Sequence, residues 1–190
     1  MNEWEARYQR GDTGWDRGEA SAALPHFIDH TPPQANILVP GCGRGHEVIE
    51  LAKSGFTVTA LDIAPSATTH LSTKLAEQSL HAQLICQDLF TFTTNHPFDA
   101  IYEQTSLCAI QPNQRHDYER CLHSWLKPGG VLFALFMQSQ TDGGPPFHCD
   151  ISAMRQLFDT ENWQWSPEKI TQIPHKSGRF ELAYILRKRR

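Results

Sequence analysis

Two rhythms of apolar and polar residues run along this chain. Short apolar stretches recur, and between several of them apolar residues return at helical spacing. Ile37–Val39 is apolar at every position, which predicts a buried strand. Arg44–Ser54 predicts a helix with Val48, Leu51 and Ala52 on one face, stopped by Gly55. Phe56–Leu61 alternates as Phe-Thr-Val-Thr-Ala-Leu, a strand ending at Asp62. Pro65 opens a helix to about Ser79, because proline suits a first helical turn. Ala82–Cys86 and Phe98–Tyr102 predict a third and a fourth strand. Gln114–Leu126 predicts a helix closed by Lys127-Pro128-Gly129-Gly130, and Val131–Met137 a fifth strand. Ile151–Phe158 is a further helix. Trp163–Ile173 and Phe180–Arg187 predict the last two strands, joined around Pro174 and Gly178.

Strands alternating with helices predict an α/β fold of the Rossmann-like kind. The expected sheet is mostly parallel and seven-stranded, with helices on both faces and a C-terminal antiparallel hairpin. The chain reads as one domain over 1–190, without repeats or low-complexity segments. Residues 1–18 carry Trp4, Tyr8, Gly11, Gly14, Trp15, Asp16 and Gly18. Such a segment cannot make a core alone and is expected to be an arm or lid. A helix over 19–29 follows, closed by Thr31-Pro32-Pro33.

Composition narrows the partners. Of 190 residues, 39% are hydrophobic and 20% charged, with a net charge of -4. That describes a globular protein with a sizeable core and no nucleic-acid or membrane surface. The Arg187-Lys188-Arg189-Arg190 run is a local exception, expected to be a solvated end. No apolar run reaches the length of a membrane span, and the N-terminus lacks the basic start and apolar core of a signal peptide. Cys42, Cys86, Cys108, Cys121 and Cys149 are odd in number and include no C-x-x-C pair. They speak against a disulfide framework and a structural zinc site, so a cytoplasmic protein is expected. Ten histidines are scattered, with no H-E-x-x-H pair and no expected metal.

The densest chemical signal is Asn36-Ile37-Leu38-Val39-Pro40-Gly41-Cys42-Gly43-Arg44-Gly45-His46-Glu47, followed by Asp62. A strand, a glycine turn and a helix, with an acid at the end of the next strand, form a nucleotide-cofactor site. The dinucleotide fingerprint is G-x-G-x-x-G, whereas Gly41, Gly43 and Gly45 give G-x-G-x-G, with His46 where the third dinucleotide glycine would stand. A cofactor without phosphates, S-adenosylmethionine, suits that spacing. In open α/β sheets the ligand lies at the carboxyl ends of the strands. Here those ends carry Gly41–Gly45, Asp62-Ile63, Asp88-Leu89 and Glu103–Ala109. Asp62 can take the ribose hydroxyls, Asp88 the adenine amino group, and Leu89 can cover the ring. Asp62 and Asp88 can equally be helix caps or turn residues.

These residues resemble the thiopurine S-methyltransferase superfamily, and within it the plant-type halide and thiol methyltransferases. The resemblance runs through Val39–Glu47, Trp4-Glu5, Gly11-Asp12-Thr13-Gly14-Trp15-Asp16, Leu61-Asp62-Ile63 and Asp88-Leu89-Phe90. It continues through Phe98–Ile110, Leu126-Lys127-Pro128-Gly129-Gly130 and Gly143-Gly144-Pro145-Pro146-Phe147, so nearly the whole chain is covered. It implies a class I fold and transfer of a methyl group from S-adenosylmethionine, leaving S-adenosylhomocysteine. By the same resemblance Trp4, Trp15, Gly41, Cys42, Gly43, Gly45, Glu47, Asp62, Ile63, Asp88, Leu89 and Glu103 form the cofactor site. Thr105 and Ser106 would lie beside the sulfonium, Tyr8 in the closing arm, and Phe147 on the acceptor side. The chain departs from the halide and thiol enzymes at Glu103-Gln104, where aspartate and an aromatic are common, and at Phe147, often tyrosine there.

A sulfonium methyl is already activated, so catalysis reduces to in-line positioning and exclusion of water. Halide and bisulfide are anions near neutral pH and need no strong base, in keeping with a chain that shows no Ser-His-Asp or Cys-His pattern. The leading expectation is therefore a methyltransferase for a small thiol, bisulfide or halide. Thiopurine-like, selenium or tellurium acceptors are the alternative within the class, and a non-catalytic S-adenosylmethionine-binding module the alternative outside it. Arg115 reads equally as an orienting group for an anionic acceptor and as a surface arginine. His148 and Cys149 are expected to be structural. A small-molecule acceptor and a monomeric chain complete the expectation.

Overall fold

The computed structural model describes residues 2–175 and 178–190. Its strands are β1 (Asn36–Pro40), β2 (Thr57–Asp62), β3 (Gln83–Cys86), β4 (Phe98–Glu103), β5 (Leu126–Gln138), β6 (Trp163–Trp165), β7 (Thr171–Pro174) and β8 (Phe180–Lys188). Its helices are α1 (Glu3–Arg10), α2 (Leu24–Asp29), α3 (His46–Lys53), α4 (Pro65–Glu77), α5 (Ser106–Ala109), α6 (Arg115–Trp125) and α7 (Ile151–Leu157). One sheet holds all the strands in the order β3-β2-β1-β4-β5-β8-β6, with β7 also paired to β8. β1 to β5 run parallel to one another, and β8 runs antiparallel to β5, β6 and β7.

The α/β architecture expected from the alternation is the one observed. The strand expected over Trp163–Ile173 is broken into β6 and β7. Pro167 stands in the gap and cannot donate to the ladder, and the register on β8 shifts between Trp165↔Leu186 and Thr171↔Ala183. The turn expected between Pro174 and Gly178 includes Lys176 and Ser177, which lie outside the described residues. The helix expected over 19–29 shortens to α2, and the four-residue α5 was not expected.

Why the strands form is visible in their burial. Ile37, Leu38 and Val39 are all buried, because both faces of the sheet are covered. Leu38, Ile101, Leu132 and Phe136 face one layer, packed against Tyr118, Leu122 and Trp125 of α6 and Met154 of α7. Ile37, Val39, Tyr102 and Phe133 face the other, with Phe27 of α2, Val48 and Leu51 of α3 and Leu71 and Leu75 of α4. Each such side chain contributes roughly 1.5–3 kcal/mol by leaving water. The sheet is therefore a rigid plate, and the groups at its carboxyl edge are fixed relative to one another.

Candidate active site

At the end of β1 the chain turns through Gly41–Gly45 into α3. Gly41 has φ +60°, and a Cβ there would stand 2.1 Å from Ser106 Oγ. Gly43 has φ +54°, and its Cβ would come within 3.1 Å of the Tyr8 hydroxyl. Both positions need a left-handed backbone and an empty side-chain space. The Cys42 N–H donates to Leu61 O at 3.0 Å, pinning the turn to β2. Asp62 Oδ2 accepts from Gly43 N–H at 2.8 Å, and Oδ1 from Ala64 N–H at 2.9 Å. Two backbone donors orient the carboxylate, and each oxygen keeps a lone pair for a ligand hydroxyl. Burial pushes the Asp62 pKa up, opposed by those backbone donors. Asp88 closes its own turn in the same way, Oδ1 accepting from Phe90 N–H at 2.9 Å. Both acids thus serve as turn residues and still present a carboxylate at the strand ends. Ile63 and Leu89 beside them are half-buried.

The arm lies over this turn. Asn2 caps α1 by accepting from Glu5 N–H at 2.7 Å and donates through Nδ2 to Ile63 O at 2.9 Å. Glu5 Oε2 accepts from Ser66 N–H at 2.9 Å, and Oε1 from the Ser66 hydroxyl at 2.6 Å. The carboxylate therefore caps the start of α4 from a different helix, where the helix dipole favours it. The Ser66 bonds hold its pKa below the usual carboxylate value. Trp15 meets Trp4 edge-on at 5.3 Å and Tyr8 at 5.6 Å. The Arg7 guanidinium stacks 4.7 Å from the Trp15 ring centre. Asp16 Oδ1 lies 2.9 Å from His46 Nε2, and Oδ2 lies 3.2 Å from Arg44 Nε. Burial, then the nearby Asp62 charge, pushes the Tyr8 phenol up, so it remains a hydroxyl donor at neutral pH. The latch through Asn2 and Ser66 was not read from the sequence. The Asn2 to Glu5 spacing is a helix-start signal, but nothing local marks Ser66 as its partner.

Further along the carboxyl edge of the sheet stand the ends of β4 and β5, α5, and the hairpin of β7 and β8. Thr105 turns the chain from β4 into α5 with φ +68°, a strained conformation for a β-branched residue, and its hydroxyl donates to Gln104 O at 2.6 Å. Ser106, assigned by resemblance to the sulfonium side, has another task. Its buried hydroxyl donates to Pro40 O at 3.0 Å and fills the space over Gly41. Glu103, assigned to the cofactor, is wholly enclosed, and its Oε1 accepts from Leu107 N–H at 2.7 Å, capping α5. Burial raises its pKa to about 8, and the charge of Glu181 adds to the shift. Glu47, also assigned to the cofactor, is half-buried on α3, and its Oε1 accepts from Ser21 N–H at 2.9 Å, tying down the exit of the arm.

Phe147 is half-buried, and its N–H donates to Cys108 O at 2.7 Å. A Cβ on Gly144 would strike its ring at 2.6 Å, so the glycine lets the loop fold back on the phenylalanine. Arg115 is neither of the two things expected. It is buried, and Nη2 donates to His148 O at 3.1 Å and contacts Cys149 Sγ at 3.5 Å. Cys149 is buried, its thiol pushed up to about 12 by burial. Both serve to anchor the loop.

A chain of polar groups at this end was missed altogether. The Tyr102 hydroxyl donates to Gln104 Oε1 at 2.9 Å, and Gln104 Nε2 donates to Glu181 Oε2 at 3.0 Å. His175 Nε2 meets the same oxygen at 3.1 Å. Gln104 and Glu181 lie 77 residues apart, and only the sheet brings the two halves of this chain of groups together.

His26 and His30 stand four apart, a metal-pair spacing, but among the described residues no group of three or more His, Cys, Asp or Glu side chains is placed to hold a metal ion. Among the described residues no helix is long and apolar enough to cross a membrane. A surface hollow of about 630 Å³ lies between α3 and α4, and Arg44 and His46 beside the glycine turn line it together with Lys53, His70 and Lys74.

Comparison with known proteins places the family and the fold. Residues 1–183 match the family model for thiopurine S-methyltransferase. Thiocyanate methyltransferase 1 of Arabidopsis thaliana is 35% identical, over 95% of this chain and 82% of its own length. The thiopurine S-methyltransferase of Xanthomonas campestris is 28% identical, over 91% of this chain and 85% of its own. The fold also matches the crystal structure of the 1,6-didemethyltoxoflavin-N1-methyltransferase of Burkholderia thailandensis with a TM-score of 0.77. That match is 18% identical and covers 99% of this chain and 86% of the other.

Proposed function

The chain belongs to the thiopurine S-methyltransferase family, and on that footing we propose that it transfers the methyl group of S-adenosylmethionine to a small sulfur or halide nucleophile. The cofactor fits the residues present. The glycine turn leaves a cradle that a side chain would fill, and Asp62 offers oriented lone pairs to a diol. The turn's own basic residues, Arg44 and His46, are both engaged by Asp16, so the turn offers a phosphate no free cation of its own. When bound, the cofactor supplies an activated methyl group with a good leaving group.

The chain's own part is binding, orientation and exclusion of water. In this reading Gly41, Gly43 and Trp15 flank the methionine part, Asp62 takes the ribose, and Asp88 with Leu89 takes the adenine. Thr105 and Phe147 lie on the acceptor side, with Tyr8 over the turn. The observation that carries the reading is the closed arm. Tyr8 sits against the bare backbone of Gly43, and Trp4 and Trp15 pack around it. A covered cleft suits displacement at carbon by a desolvated nucleophile.

The test is a sealed-vial assay. Purified protein receives methyl-labelled S-adenosylmethionine with iodide, thiocyanate or an alkanethiol, and labelled volatile product is measured in the headspace. Labelled methyl iodide, methyl thiocyanate or thioether is expected. Cofactor binding by calorimetry without any labelled product would sink the small-nucleophile reading, and no cofactor binding would sink the whole assignment.

A further inference from the structure

We propose that His175, oriented by Glu181 and Gln104, is the general base for a neutral thiol, so that this site methylates thiols in preference to halide or thiocyanate anions. The inference rests on the reading that a methyl acceptor binds at the carboxyl ends of β4 and β5.

Geometry carries the assignment. Glu181 opposes Met137 at the end of β5, and Gln104 follows β4, so both stand at the carboxyl edge. Tyr102 donates to Gln104 Oε1, which fixes the amide so that Nε2 points to Glu181. Glu181 Oε2 receives both that amide and His175 Nε2, at 3.0 and 3.1 Å. A carboxylate on Nε2 places the imidazole hydrogen there and leaves Nδ1 as the acceptor. The arrangement has the logic of a base held by a buried acid. The His175 side chain is 20% exposed, so a proton can leave it for water.

Charge decides the substrate class. Glu181 is fully buried, and its Oε1 has no partner among the described residues. A buried carboxylate with a spare oxygen favours a neighbouring cation and repels an anion. An imidazolium formed on His175 is such a cation. Among the described residues, the other charged and titratable groups facing this cluster are Arg17, whose guanidinium donates to Pro174 O at 2.9 Å, Arg179, whose carbonyl accepts from His175 N–H, Glu47 on the facing helix α3 and Glu103 at the end of β4. An alkanethiol is mostly protonated at neutral pH and must lose its proton to become a nucleophile. The S–H bond breaks with the proton going to Nδ1. The sulfur's electron pair forms the new bond to the methyl carbon, and the pair of the old methyl–sulfur bond stays on the departing thioether.

The experiment compares His175→Gln with the unsubstituted chain on 2-mercaptoethanol, iodide and thiocyanate, with cofactor binding followed by calorimetry. Glutamine keeps a donor to Glu181 and lacks a base. The thiol should be the preferred acceptor of the unsubstituted chain. The variant should bind the cofactor as before, lose roughly a hundred-fold in kcat with the thiol, and lose at least ten-fold less with either anion. Thiols of greater acidity should be less affected. Glu181→Gln should raise the anion-to-thiol ratio. Equal losses with thiol and anion, or an unaffected thiol rate, would overturn the proposal while leaving methyl transfer intact. A chain that binds the cofactor and methylates none of the three would overturn the function itself.

Discussion

Backbone donors orient Asp62 at the glycine turn, whereas side chains hold Glu181 at the end of β5. At the glycine turn, Asp62 takes its direction from the N–H groups of Gly43 and Ala64, and the turn takes its place from Leu61 O. At the ends of β4 and β5, Gln104 and His175 both bond Glu181, while Glu103 caps α5 and Arg115 anchors the loop after β5. Among the described residues several buried atoms there go without partners, among them Glu103 Oε2, Arg115 Nε, Tyr118 OH and Glu181 Oε1. A backbone cradle is satisfied before any ligand arrives and tolerates little change. A side-chain network with unmatched atoms is unstable in its own right and can be rewired for a different acceptor.

Substitutions can break or sharpen this contrast. The largest effect is expected from Gly41→Ala. Its methyl group meets Ser106 Oγ in a left-handed turn, so unfolding free energy should fall by several kcal/mol, on the order of the severe class of point mutants, and cofactor binding should be lost. Adding Ser106→Gly should recover part of the stability by removing the clash. Denaturant unfolding and calorimetry would measure both, and an unaffected Gly41→Ala would end the idea of a backbone cradle.

Asp62→Asn comes next. One amide face then presents a donor to a backbone N–H, so cofactor affinity should weaken about a hundred-fold with the fold retained. At the other end, Glu103→Gln should act through pH. The folded carboxyl titrates at about 8, above its unfolded value of 4.5, so the native state holds a proton that the unfolded chain has released. Its contribution is complete below the unfolded value and is lost as pH rises towards 8. Glutamine removes that loss, so at pH 9 the variant should gain stability relative to its standing at pH 4, by up to about 5 kcal/mol. Melting curves across pH would show it, and parallel profiles for the two proteins would refute it. Smallest of all is Ser66→Ala, which removes one arm of the latch to Glu5. It should raise the KM for the cofactor roughly two- to five-fold, consistent with a lost hydrogen bond, and leave kcat nearly unchanged.

The same contrast explains what the sequence made legible. Gly41, Gly43, Gly45, Asp62 and Asp88 announce themselves because turns and strand ends are local, and their spacing is set by one strand–turn–helix unit. Pro65 at the start of α4 is local in the same sense. The mostly parallel sheet with helices on both faces follows from alternation. Glu5 and Ser66 lie 61 residues apart, and Gln104 and Glu181 lie 77 apart, so no pattern in the chain joins them. Ser106 and Glu103 stood at the right strand end, yet the close packing of α5 on the turn turned both inward. The strand over Trp163–Ile173 was overextended because its apolar content continues on both sides of Pro167, while the ladder does not.

Asp16 and Arg17 are neighbours, yet one grips Arg44 and His46 at the glycine turn and the other grips Pro174 on the hairpin that carries His175. A strap tied at two such points couples them. The coupling predicts a compulsory order, cofactor first and acceptor second with the demethylated cofactor leaving last, and product-inhibition patterns that fit random entry would refute it.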